Sequence, residues 1–142
     1  HKADDGRSVQ RRLGQHRVAG TFAFRRLKDA GARLAFGSDW PVVTCDPMPG
    51  MRAAITGLTL EGKAFAADQN LTVEETLRAY TVDAAYALGV DDGGTLTPGH
   101  LGDLVIWDCD PFTADWVHAP PRITMTIVGG RVVYDAEQRC QV

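Results

Sequence analysis

The chain has 142 residues, enough for one modest domain with a real core. A hydrophobic fraction of 44%, a charged fraction of 23% and a net charge of −3, with no Lys/Arg-rich run, give no electrostatic case for nucleic acid. No apolar run approaches the length of a membrane span, so no membrane partner is expected.

The sequence opens His1-Lys2-Ala3-Asp4-Asp5, with neither an initiating Met nor a signal-peptide pattern. The expectation is a piece of a longer protein, or a processed one. Cys45, Cys109 and Cys140 are odd in number and far apart, without a CxxC pair. That excludes a zinc knuckle, argues against a disulfide framework and makes the cytoplasm the expected compartment. His1, His16, His100 and His118 show neither HxH nor HExxH spacing, and each reads as a surface or capping residue.

Residues 1–20 are polar and carry Arg7, Arg11, Arg12 and Arg17. They read as a solvated loop with a short helix, and no glycine-rich segment beside them cradles a phosphate. Residues 21–30 read as a helix: Ala23, Leu27 and Ala30 share a face, Arg25, Arg26 and Lys28 point away, and Gly31 stops it. Leu34-Ala35-Phe36 then reads as a buried strand of a parallel sheet, the second half of a crossover unit.

The strand breaks at Gly37, and Ser38-Asp39-Trp40-Pro41 follows. Two readings of Asp39 stay open on local pattern alone. It is a turn residue bonding its own backbone, or a carboxylate at the carboxyl end of a buried strand, where barrel enzymes carry their chemistry.

A proline-containing loop leads to Pro49, placed to open a helix whose face is Met51, Ala54, Ile55 and Leu58. Residues 60–71 read as an irregular polar connection. Thr72-Val73-Glu74-Glu75 is a capping box for a helix with Val73, Leu77 and Tyr80 inward. Thr81 is placed to cap a second helix with Val82, Ala85 and Tyr86 on its apolar side, ended by Gly89. From Asp91-Asp92-Gly93-Gly94 onward the period becomes that of strands. Residues 104–107 read as a buried strand, and residues 123–128 and 131–134 as a hairpin about Gly129-Gly130. Asp108, Asp110 and Asp115 do not have calcium-loop spacing and read as turn residues.

Three segments in this order resemble the amidohydrolase superfamily, most closely its family-three branch. The first is Asp29-Ala30-Gly31-Ala32-Arg33-Leu34-Ala35-Phe36-Gly37-Ser38-Asp39-Trp40-Pro41-Val42. The second is Leu71-Thr72-Val73-Glu74-Glu75-Thr76-Leu77-Arg78-Ala79-Tyr80-Thr81 with Ala84, Ala85 and Gly89. The third is Gly94-Thr95-Leu96-Thr97-Pro98-Gly99-His100-Leu101-Gly102-Asp103-Leu104-Val105-Ile106-Trp107, continued by Val128-Gly129-Gly130-Arg131-Val132-Val133-Tyr134. The third segment departs from the family's usual Gly-Lys-x-Ala-Asp at Gly99-His100-Leu101-Gly102-Asp103.

The resemblance implies an α/β chain. Residues 1–92 are expected to be the last βα units of a (β/α)8 barrel, and residues 93–142 to be strands of a small composite β-sandwich. It implies a metal-dependent hydrolase of amide-like C–N bonds in small molecules. Asp39 is then metal ligand and catalytic base, Ser38 and Trp40 flank the substrate, and zinc is the cofactor. A bound zinc lowers the pKa of its water from about 15.7 toward about 7. Trp40 walls the substrate pocket or packs beneath the Pro41 loop. Asp103 matches a structural residue that anchors a turn before the strand. The family's other ligands are an HxH pair on strand one, a carboxylated Lys or Glu, and histidines on strands five and six, and none of these is in the sequence. The isolated chain is therefore expected to be inactive and to pair with the rest of its protein or with a second copy. The alternatives are a non-catalytic binding or scaffold domain, or another superfamily hydrolase such as a phosphotriesterase-like enzyme or a deaminase.

Overall fold

The computed structural model describes residues 1–138, so Cys140 lies outside the described residues. Six α-helices precede three strands among them: α1 (Lys2–Leu13), α2 (Gln15–Val18), α3 (Phe24–Asp29), α4 (Met48–Thr56), α5 (Val73–Tyr80), α6 (Val82–Leu88), β1 (Leu104–Trp107), β2 (Ile123–Val128) and β3 (Arg131–Asp135). No helix among the described residues is long and apolar enough to cross a membrane.

The amino-terminal stretch is mostly helical, where a loop with a short helix was expected. Buried Ala3 and Lys2 tie α1 down. The Lys2 ammonium donates to the Ala66 carbonyl and to Asn70 Oδ1, both at 3.2 Å. Burial lowers its pKa to about 8, against the opposing pull of Asp68.

Helix α3 is shorter than the period suggests. Phe22 takes a left-handed φ of 47°, and the Phe24 N–H bonds the Phe22 carbonyl, so the helix cannot begin earlier. Its expected inner face is not buried: Leu27 is exposed. Arg25, expected to face solvent, instead reaches across to α5, pairing with Glu75 and donating to the Asn70 carbonyl. A long guanidinium stem can cover a helix flank and still find a partner.

The expected buried strand at residues 34–36 does not form. The segment is extended, unladdered and alternately half-buried and exposed. A parallel strand needs neighbours on both edges and layers on both faces, and the described residues supply neither. One backbone bond remains, from the Phe36 N–H to the Ala79 carbonyl at 2.9 Å.

Pro49 opens α4 as expected, and Met51, Ala53 and Ala54 are its buried face. The connection that follows is irregular but not simply polar. It holds a 3-10 turn (Ala67–Gln69), and Phe65, Gln69 and Leu71 are buried. The capping box of α5 is complete: Thr72 Oγ1 accepts from the Glu75 N–H, and Glu75 accepts from the Thr72 N–H. The inner face of α5 is shifted by one position, with Thr76 and Ala79 buried and Val73, Leu77 and Tyr80 half-buried.

Thr81 stands at the N-cap of α6, but its hydroxyl donates back to the Leu77 carbonyl and does not cap. Tyr86, assigned to the apolar side, is 66% exposed, and the buried residue of α6 is Asp83. A carboxylate tolerates that burial because Arg33 donates to it at 2.7 Å.

The strands form an antiparallel meander in the order β1-β2-β3, with Leu104 opposite Ile127 and Val128 opposite Arg131. Gly129 and Gly130 both have positive φ, 55° and 74°, as a two-residue primed hairpin turn demands. Asp103 accepts from the Gly129 N–H at 2.7 Å, so the turn it holds is this hairpin and not the one before β1 that was expected. Strand β1 was expected to be buried, but Val105 and Ile106 are exposed, and only its ends, Leu104 and Trp107, are half-buried. Asp110 and Asp115 each accept from backbone N–H groups two or three residues on, as turn residues do, whereas Asp108, also expected to be a turn residue, accepts from the distant Arg122 N–H.

Glycine couples the two parts. Gly94 passes over the break between α5 and α6, and a β-carbon there would stand 2.7 Å from Val82 Cα and 2.9 Å from the Thr81 carbonyl carbon. The accessible surface is 9191 Å², against about 7,200 Å² for a compact monomer of this mass. The isolated chain is expected to associate, because open strand edges and uncovered apolar faces favour pairing. Light scattering checks this, and a monodisperse monomer with a cooperative melt counts against it.

A second expectation concerns acid. Hydrogen bonding from Arg25 holds the Glu75 carboxyl down to about 2, with the Thr72 N–H adding to it. A depressed folded-state pKa contributes stability that is full above the ordinary value near 4.5 and is lost as pH falls toward about 2. The melting midpoint of wild type should therefore drop between about pH 5 and about pH 2. Glu75→Gln should be less stable near neutral pH and flatter across that range. Parallel wild-type and variant profiles would remove the linkage.

Candidate active site

Ser38, Asp39 and Trp40 sit on one turn directly after the extended segment. Ser38 is half-buried, Asp39 is exposed and Trp40 is 67% exposed. The Asp39 carbonyl accepts from the Val42 N–H at 2.8 Å, which closes the turn, and the Trp40–Pro41 peptide is cis. Asp39 has a φ of 52°. Aspartate is among the few side chains that enter the left-handed region with modest cost. Phe22 and Ala66 share that range, so strain alone does not single out Asp39.

The turn hangs from well-fixed neighbours. Upstream, the Phe36 ring lies against Phe24, with centroids 4.8 Å apart, and edge-on to Tyr80 at 5.5 Å. Arg33 bonds buried Asp83 and stacks its guanidinium 3.8 Å from the centre of the Tyr86 ring. Downstream, Asp46 Oδ1 accepts from the Met48 N–H at 2.9 Å and leads the chain into α4. Trp40 does not pack beneath the Pro41 loop in this chain, since most of its surface meets solvent. An apolar cleft of ≈ 440 Å³ lies between α4, α5 and the sheet, with Met51, Leu77, Tyr80, Leu104 and Trp107 on its walls; it does not reach residues 38–40.

Residue patterns alone do not reveal Arg33, Asp83 or Tyr80 as parts of this support. Tyr80 carries only the signal of a core aromatic, and the Arg33–Asp83 pair joins residues fifty positions apart in sequence. Among the described residues no group of three or more His, Cys, Asp or Glu is placed to hold a metal ion. A tightly held zinc needs three or more protein ligands. The residues present do not make such a site by themselves.

The amidohydrolase family profile matches residues 1–134. The chain belongs to the amidohydrolase family. The protein LONG AFTER FAR-RED 3 of Arabidopsis thaliana is 32% identical over 137 residues, covering 94% of this amidohydrolase chain and 24% of that protein. The N-substituted formamide deformylase of Arthrobacter pascens is 34% identical over 91 residues, covering 63% of the chain and 17% of the enzyme. The crystal structure of an uncharacterized metal-dependent hydrolase from Pyrococcus horikoshii superposes with a TM-score of 0.69 at 30% identity, over 83% of the chain and 24% of that structure. The chain thus spans no more than about a quarter of the length of these relatives.

Purified on its own, this amidohydrolase chain is expected to carry no stoichiometric zinc. Elemental analysis after dialysis against a weak chelator checks this. One zinc per chain, held by ligands of this chain alone, would overturn it.

Proposed function

We propose that this chain is the carboxyl-terminal part of a metal-dependent amidohydrolase that hydrolyses an amide-like C–N bond in a small molecule. Residues 1–92 contribute the last units of its barrel and residues 93–142 contribute strands of its β-sandwich. Asp39 supplies one ligand to a divalent metal, zinc by preference, whose other ligands lie outside this chain. The observation that carries the reading is the exposed, left-handed Asp39 turn at the end of an extended segment, within a chain of this family. The named activity of one relative, a formamide deformylase, supports the bond class, and the solved structure of a metal-dependent hydrolase supports the metal.

In this reading the Asp39 carboxylate accepts a proton from the attacking water and returns it to the leaving nitrogen. A carboxylate suits both halves of that transfer. Trp40 offers a broad apolar wall beside it and Ser38 a hydroxyl to orient the substrate. The rest of the same protein, or a second copy, covers the open faces of the chain.

The test uses the full-length protein, loaded with zinc, on N-benzylformamide, N-acetylglycine and hydantoin. Asp39→Asn should cut kcat by about a hundredfold or more, the range for losing a general base. Zinc content and melting temperature should change little. Asp103→Asn is the control, expected to loosen the Gly129-Gly130 hairpin and leave turnover per folded molecule near wild type. Turnover retained by Asp39→Asn and lost in Asp103→Asn puts the chemistry on the other aspartate. No turnover of any of the three amides overturns the bond class.

A further inference from the structure

Gly50 lies inside helix α4, in its first turn, where alanine is the better helix former. Its reason for being glycine is Tyr80. A β-carbon built on Gly50 collides with the Tyr80 hydroxyl, whereas the next atom, Tyr80 Cζ, is 3.4 Å away. The same tyrosine presents its ring to Phe36, and the neighbouring Ala79 carbonyl accepts from the Phe36 N–H. Phe36 and Gly50 are the two roots of the stretch that carries Ser38, Asp39 and Trp40. The hydrogen bonds found within that stretch are local, from Val42 to Asp39, Asp46 to Thr44 and Met48 to Asp46. Local bonds give the stretch its shape, and its position relative to the helices is set at its roots.

We infer that Tyr80 is a positioning residue for Asp39, its ring fixing the incoming root at Phe36 and its hydroxyl seated on the outgoing root at Gly50. The inference rests on the proposed role of Asp39. It makes the Tyr80–Gly50 pair a matched set: filling the glycine forces the hydroxyl and the root apart, at the expense of the root where the Tyr80 ring is held by Phe36, and removing the hydroxyl makes room again.

The experiment uses the full-length protein labelled with 5-fluorotryptophan, the Trp40 resonance being identified by its loss in Trp40→Phe. Gly50→Ala should shift or split that resonance. Gly50→Ala with Tyr80→Phe should return it, because the hydroxyl was the colliding atom and the ring carbon at 3.4 Å is in ordinary contact. Turnover of the best of the three amides should follow. Gly50→Ala should lower kcat by roughly tenfold to a hundredfold, the scale for a misplaced catalytic group, with KM little changed, and the double variant should recover. In an Asp39→Asn background Gly50→Ala should cost nothing further, as expected when one residue acts through the other. An unmoved Trp40 resonance in Gly50→Ala, or no recovery with Tyr80→Phe, overturns the inference, as does a moved resonance with unchanged kcat. If Asp39→Asn itself keeps full turnover, the role of Asp39 fails instead, and the Trp40 shift then reports packing with no catalytic consequence.

Discussion

The break between α5 and α6 is the constraint on which the placement of the Asp39 turn depends. Thr81 takes φ −122° and ψ −96°, which no helix continues. The last turn of any helix leaves carbonyls without partners inside it. Here one of them, on Ala79, takes the Phe36 N–H. Beside the same break, Tyr80 meets Phe36 and Gly50, and Asp83 in the first turn of α6 accepts from Arg33. Three different contacts with the Asp39 segment therefore cluster about a single interruption of helical geometry. Gly94 passing tightly over the break ties the sheet to the same point.

Ion pairs decorate this arrangement without carrying it. Arg25–Glu75 and Arg33–Asp83 each join residues fifty positions apart, and each has at least one partly exposed partner. Partly exposed pairs contribute about 0.2–1 kcal/mol, and a good N-cap contributes about 1 kcal/mol. Glu75 does both, since its carboxylate closes the capping box and holds Arg25. That double use makes it a more sensitive position than either interaction alone. Asp83 differs in sign. Its value lies less in the energy of the pair than in the cost of leaving a buried carboxylate alone if Arg33 is lost.

Much of the local structure was legible in the sequence. The capping box at Thr72, the proline start of α4 and the glycine ends after α3 and α6 are decided by a few adjacent residues, and the structure has them where the pattern put them. The hairpin about Gly129-Gly130 is equally local, whereas the bond from the Gly129 N–H to Asp103 joins residues far apart in sequence, and a structural role for Asp103 was suggested only by the family resemblance. The strand at residues 34–36 was not readable in the same way. Its hydrophobic pattern is that of a strand, but a ladder is made by neighbours, and the pattern cannot say whether they are in the chain. The helix faces erred where a polar residue took the inward position, as Asp83 and Arg25 do, because each inward charge depends on a partner fifty residues away. For the site, the turn at Ser38-Asp39-Trp40 is written in Gly37 and Pro41. Its support by Tyr80 and Gly50 is not, since a glycine inside a helix and a tyrosine on a half-buried face are each unremarkable alone.

In the proposed reading, what this chain contributes to chemistry is backbone position. A single carboxylate on an exposed turn has no catalytic power of its own, because the energetic advantage of an active site comes from groups held in place before reaction. The Asp39 turn has that property on one side only. Its roots are fixed by Phe36, Ala79, Tyr80 and Gly50, while its outer side, with Trp40 and Val42, meets solvent. The excess of accessible surface lies in the same sense, with β1 uncovered and apolar side chains of α6 turned outward. A site built this way is completed by apposition. The chain holds one carboxylate at a defined place, and in the proposed reading whatever covers its open faces brings the remaining ligands to that carboxylate.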